Sequence, residues 1–308
     1  TMHGVIRVGP WVLALLVGCP SAPPADDDDS ATPAPGVDPL SFAVDALGPF
    51  HAGWRADAIT YTPVGQDAPR TVPINVWYPT EAETGEEVRY METFLDPVAL
   101  GGAPVAEPLY AGRYPVMVYS HGFQGWGGSS SDLCRYFASH GWVVVAPDHL
   151  GNTLLDHVDP LPTAHYLHKP QDVSAALDLL EALPASDPLS RADTSRVLLS
   201  GHSFGSYATW AGIGATFDPD AIDAACAGGG TLPTGVCTDA QAAAFVSGEL
   251  DDARVVAAMP MAGSIRGGFF GPEGHRSARG PVLFMSGTND GVGQEAQWNE
   301  RFGIDLAW

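Results

Sequence analysis

Hydrophobic positions along the chain alternate between short β-rich runs and stretches with helical spacing. Runs at 71–78, 115–120, 142–147, 196–200, 254–261 and 281–286 predict strands, and apolar spacings at about 130–139, 170–183, 204–213 and 294–302 predict helices. The unbroken apolar runs Val143-Val144-Val145 and Val197-Leu198-Leu199 suit strands covered on both faces. The helix at 170–183 is expected to open with Pro170 in its first turn and to bury Val173, Ala176, Leu177, Leu180 and Leu183 along one face. This alternation predicts an α/β fold: a mostly parallel sheet with helices on both faces. Residues 217–252, rich in Ala, Gly and Asp, break the rhythm and read as an insertion.

The first 40 residues do not share the pattern. Arg7 precedes an apolar stretch at 11–17, far short of the roughly 20 residues that span a bilayer, so residues 1–18 read as a signal peptide. Leu16-Val17-Gly18-Cys19 resembles the lipobox of bacterial lipoproteins. The resemblance implies cleavage before Cys19, lipid on its thiol, and a membrane-anchored or secreted protein outside the cytoplasm. Residues 19–40, rich in Pro and Ala and carrying Asp26 to Asp29, read as an acidic tether, and 41–308 as the folded domain. In an exported chain Cys226 and Cys237 are expected to close the Gly-rich segment between them as a disulfide, whereas Cys134, inside a helical pattern, reads as a buried thiol.

Charge narrows the partners. The 308 residues carry 14 Lys plus Arg against 36 Asp plus Glu, a formal balance of −22, which repels phosphate backbones and argues against nucleic-acid binding. Lys169 is the single lysine; the other basic residues are Arg. Hydrophobic residues make up 45% of the chain, enough for a buried core despite the charge.

Candidate chemistry gathers on three loops that each follow a predicted strand. Gly201-His202-Ser203-Phe204-Gly205 lies between a strand and a helix, where a sharp turn holds the central serine with its hydroxyl exposed, so Ser203 is the candidate nucleophile. Acyl transfer also needs backbone N–H groups aimed at the developing oxyanion. One comes from the residue after the nucleophile and one from an earlier strand-end loop, which points to Phe204 and to Phe123 in Ser120-His121-Gly122-Phe123-Gln124-Gly125-Trp126. His121 reads as positioning that loop, and Trp126 is a candidate for lining the acyl site. Asp290, after the strand at 281–286, is the candidate acid that orients an imidazole; its other reading is a helix cap. His149, His157, His165 and His168 crowd one loop region, but their spacing fits no zinc signature and they read as surface residues, so no metal is expected.

From Tyr114 to Asp290 the chain resembles the α/β-hydrolases, and among them bacterial predicted dienelactone hydrolases and the platelet-activating-factor acetylhydrolase group. The residues carrying the likeness are Tyr114-Pro115-Val116 leading to Ser120-His121-Gly122, then 138–149, Pro170-Gln171-Asp172-Val173, and the Ser203 loop. The resemblance implies cofactor-free hydrolysis of carboxylic esters (lipid, short-acyl or polyester) through a Ser-Asp-His triad, with Ser203, Asp290, Phe123 and Phe204 in the roles above. Ser203 stands where dienelactone hydrolases proper carry Cys. That order puts the histidine after the acid, yet all ten histidines precede Asp290, the last being His275. The sequence therefore reads as a fragment lacking the last strand and His loop, nearly inactive alone, with His275 a poor substitute base. The alternative is a non-catalytic surface lipoprotein that keeps the scaffold for binding.

Overall fold

The computed structural model describes residues 41–159, 161–227, 237–263, 268–271, 273–287 and 289–290. The expected signal peptide, lipidation site Cys19 and tether, and the helix expected at 294–302, lie outside the described residues. Strands β1 (His51–Tyr61), β2 (Arg70–Thr80), β3 (Glu86–Tyr90), β4 (Phe94–Gly101), β5 (Tyr114–Ser120), β6 (Val143–Pro147), β7 (Ala192–His202) and β8 (Val255–Met261) form one sheet, ordered β3-β4-β1-β2-β6-β5-β7-β8. The β6-β5-β7-β8 half is parallel, and β2 joins both β1 and β6 antiparallel. Residues 281–286 extend the parallel half through bridges of Val282 to Ala258 and Met285 to Met261.

Side-chain alternation along β5 divides the core. Val116 and Val118 pack with α2 (Ala164–Glu181) and α3 (Phe204–Gly212) on one face, while Met117 and Tyr119 pack with α1 (Ser131–Ser139) on the other. From β5 the chain first turns to β6 on one side and later to β7 on the other. The carboxyl ends of β5 and β7 therefore flank a topological switch point, where open α/β sheets bind ligands.

Two expectations are corrected. The helix expected to begin at Pro170 begins at Ala164, with Pro170 in its interior. An interior proline removes one N–H and normally breaks a helix. Here the carbonyl it abandons, that of Tyr166, accepts instead from Tyr207 Oη on α3 at 2.9 Å. The histidines read as surface residues are also partly misjudged: His149, His165 and His168 are buried, because the segment after β6 folds inward over α2. The interrupting segment 217–252 carries α4 (Pro219–Cys226), capped by Asp218, and α5 (Asp239–Phe245), opened by a Thr238/Gln241 capping box. A disulfide joins Cys226 to Cys237 with S–S 2.08 Å. Cys134 is a buried free thiol whose pKa burial pushes up.

Candidate active site

Ser203 sits between β7 and α3 with φ 54° and ψ −112°, a left-handed backbone that costs an L-residue strain. The turn needs glycine two residues to either side: a Cβ on Gly205 would lie 1.9 Å from the Ser120 carbonyl oxygen, and one on Gly201 2.3 Å from the Gly205 carbonyl oxygen. Ser203 N–H donates to the Met261 carbonyl at 2.9 Å, tying the elbow to the end of β8. A serine at a helix N-cap ordinarily turns its hydroxyl back onto the first amides. Ser203 makes no such bond, so its hydroxyl is not spent on the first turn of α3.

The loop after β5 lies against this elbow. Ser120 pairs with Gly201 across the β5–β7 ladder, and a Cβ on Gly122 would lie 3.2 Å from Ser203 Cβ. Among the described residues neither the Phe123 nor the Phe204 amide donates to another group. Phe123 is 42% exposed, and the Phe204 ring packs on Tyr166 with centroids 4.7 Å apart.

Beneath the loop lies a buried polar cluster that the sequence reading missed. Ser120 Oγ is 2.9 Å from His149 Nε2, and His149 Nδ1 is 2.8 Å from Asp172 Oδ2. Arg70 grips Asp172 through Nε and Nη2, both at 2.8 Å, and Tyr61 Oη donates to Asp172 Oδ1 at 2.6 Å. Asp172 thus accepts four bonds, and its charge is offset by Arg70. These contacts set the tautomers. His149 holds its proton on Nδ1, so Ser120 donates to Nε2; His149 N–H donates to His121 Nε2 at 3.0 Å, leaving the His121 proton on Nδ1 for the Gly122 carbonyl at 2.7 Å. Both imidazoles are held neutral well below the usual histidine pKa, first by burial and next by the Lys169 charge. Lys169 Nζ donates to the His121 carbonyl at 2.7 Å and lies 5.0 Å from the Phe204 ring centroid; burial pushes its pKa far down against the pull of Asp172. Asp148, next to His149 just past β6, accepts from Gly127 N–H at 2.6 Å, and burial raises its pKa to about 6.

The remaining predicted residues spread more widely. Asp290 follows the strand-like 281–286 segment; Ala262 N–H donates to the Met285 carbonyl at 2.7 Å, so Asp290 and Ser203 lie at the same carboxyl edge. Trp126 stacks on Phe94 with centroids 4.1 Å apart, at the antiparallel side of the loop. His275 packs on Trp210 and Phe270. Trp210 is seven residues into α3 from Ser203, about 10 Å along the axis at 1.5 Å per residue. Among the described residues no imidazole bonds Ser203 Oγ, and no cluster of metal-ligating side chains or helix able to cross a membrane occurs.

A strained strand–serine–helix elbow at the carboxyl edge of this sheet is the arrangement of the α/β-hydrolase fold, and the chain has that fold. Within it, the likenesses are to esterases. The chlorophyllase family model matches residues 96–216. Cutinase est1 of Thermobifida alba and cutinase 2 of Thermobifida cellulosilytica are each 33% identical over 105 residues, 34% of this chain and 32% and 36% of theirs. The chain thus spans about a third of the length of these curated relatives. A ferulic acid esterase from Streptomyces cinnamoneus shares the fold with TM-score 0.52 and 20% identity, over 86% of this chain and 74% of its own.

Proposed function

We propose that the protein hydrolyses carboxylic esters through an acyl-enzyme on Ser203, outside the cytoplasm. The observation that carries this reading is the Ser203 elbow, which holds an uncapped hydroxyl beside two amides with no other acceptor. Ser203 Oγ attacks the ester carbonyl carbon, and its proton passes to an imidazole oriented by Asp290. The carbonyl oxygen becomes an oxyanion facing the Phe123 and Phe204 N–H groups. Collapse expels the alcohol, which takes the proton from the imidazolium, and water then releases the acyl group by the same route. In this fold's chain order the imidazole follows the acid. Similarity to cutinases and to a ferulic acid esterase supports the ester class. Exposed Phe123 offers an apolar surface for lipid, short-acyl or polyester substrates. The Cys226–Cys237 disulfide supports an oxidising location, and the 11–17 apolar stretch before Cys19 supports export with a lipid anchor.

The test is a fluorophosphonate probe on the protein as its gene encodes it. Ser203 should be the modified residue, and Ser203→Ala should lose labelling and, by analogy with a comparable triad, on the order of a million-fold in turnover of p-nitrophenyl butyrate. A folded protein that is neither labelled nor active would be a binding scaffold instead.

A further inference from the structure

The chain's single lysine occupies a costly place. Lys169 is fully buried, although an amine inside a protein is expensive and a methionine of similar length would fill the space without that cost. Its two neighbours show what the amine holds. Nζ donates to the carbonyl of His121, the peptide that leads into Gly122 and Phe123, and the same Nζ lies over the ring of Phe204. One side chain therefore touches both segments whose amides face Ser203. It reaches them from α2, where Asp172, three residues on and so on the same face, anchors His149 and through it Ser120 and the His121 ring.

We infer that Lys169, supported by the Asp172–His149–Ser120 chain, is the positioning residue that fixes the spacing of the Phe123 and Phe204 amides by bracing the His121 carbonyl against the Phe204 ring. The inference rests on the acyl-transfer reading above. Lys169 does not touch substrate. It sets the geometry in which two backbone donors converge on one oxygen, and a misplacement of about 1 Å at such a site can cost about a hundredfold in rate.

Lys169→Met keeps the stem and removes the donor. The expected result, with p-nitrophenyl butyrate, is a kcat lower by about 10- to 100-fold and a KM within about twofold. Affinity for an alkyl boronic acid, which forms a tetrahedral anion on the serine, should fall by a similar factor while the melting temperature does not fall. Amide hydrogen exchange of residues 121–125 should accelerate in the variant relative to the rest of the sheet. Ser120→Ala, a small change that frees His149 Nε2, should move kcat and loop exchange in the same direction by less, and it serves if Lys169→Met does not fold. Unchanged loop exchange, or a kcat within twofold of wild type, overturns the inference. So does a kcat loss that tracks a lowered melting temperature and a raised KM. Absence of labelling and turnover in the wild type would refute the esterase reading separately, and the exchange measurement would still decide whether Lys169 holds the loop.

Discussion

The bond between Tyr207 Oη and the Tyr166 carbonyl gives a sharp energetic prediction. Pro170 has no N–H, so the carbonyl four residues before it has lost its helical donor, and Tyr207 supplies the replacement at 2.9 Å. Tyr207→Phe removes only the hydroxyl and leaves that carbonyl unpaired within a buried stretch of α2, a loss of about 1–3 kcal/mol. For a domain of this size that lowers the melting temperature by roughly 2–12 °C at about 2–4 °C per kcal/mol. Pro170→Ala returns an amide to the same carbonyl. In that background Tyr207→Phe removes a second bond rather than the sole one, and its cost should shrink by about 1 kcal/mol. Urea unfolding of wild type, both single variants and the double variant measures this coupling directly. Additivity within about 0.5 kcal/mol would show that Tyr207 does not compensate for the proline, and that the interior Pro170 is tolerated for another reason.

Three further outcomes are expected. Ser203→Gly should abolish labelling yet raise stability by about 1 kcal/mol in urea unfolding, because relief of about 1–3 kcal/mol of backbone strain exceeds the roughly 0.5–1 kcal/mol entropic cost of glycine; a destabilised variant would refute the strain. Stability should fall as pH drops from about 6.5 toward 4: His165 and His168, held at about 4 by burial, stay neutral when folded while the unfolded chain binds their protons, worth at most about 3 kcal/mol each. His121 and His149 act in the same direction, whereas Asp148, raised to about 6, opposes them by taking its proton earlier when folded; a stability that holds level from pH 7 to 5 would contradict this balance. Replacing Cys226 and Cys237 by alanine should cost about 2–3 kcal/mol, the scale expected for closing so short a loop, read as a shift in the unfolding midpoint that reductant reproduces in the wild type.

The parallel half of the sheet is legible in the sequence because its strands are covered on both faces, as the fully buried β6 shows, and doubly covered strands are written as unbroken apolar runs. The Ser203 elbow is legible because the turn demands glycine at fixed places. Strands β1, β3 and β4 are not, since each mixes exposed residues, such as Glu87 and Arg89, among its inward ones and so gives no apolar run. The true start of α2 is hidden because Pro170 is excused by a tyrosine on another helix. The buried cluster escapes for a related reason: Ser120, His149 and Asp172 come from a strand end, a loop and a helix, and only folding brings them together. The available signal was the chain's one lysine three residues before an aspartate, just ahead of the apolar run of α2.

That cluster also shows why interatomic distance is a weak guide to a nucleophile. By distance alone, Ser120–His149–Asp172 is the better triad, with contacts of 2.9 and 2.8 Å, while Ser203 has no imidazole beside it among the described residues. Yet Ser120 has no exposed surface, and its hydroxyl lies on the last residue of a strand paired on both sides, where no ester carbonyl can reach. Its imidazole is committed as well, because Asp172 is already charge-balanced by Arg70 and burial disfavours the imidazolium that a base must become. Ser203 has the opposite properties: accessible, strained, uncapped and beside two amides without acceptors. No single substitution could give Ser120 that access. On the proposed reading the buried trio is a brace, and the reactive position is the one whose surroundings leave bonds unmade.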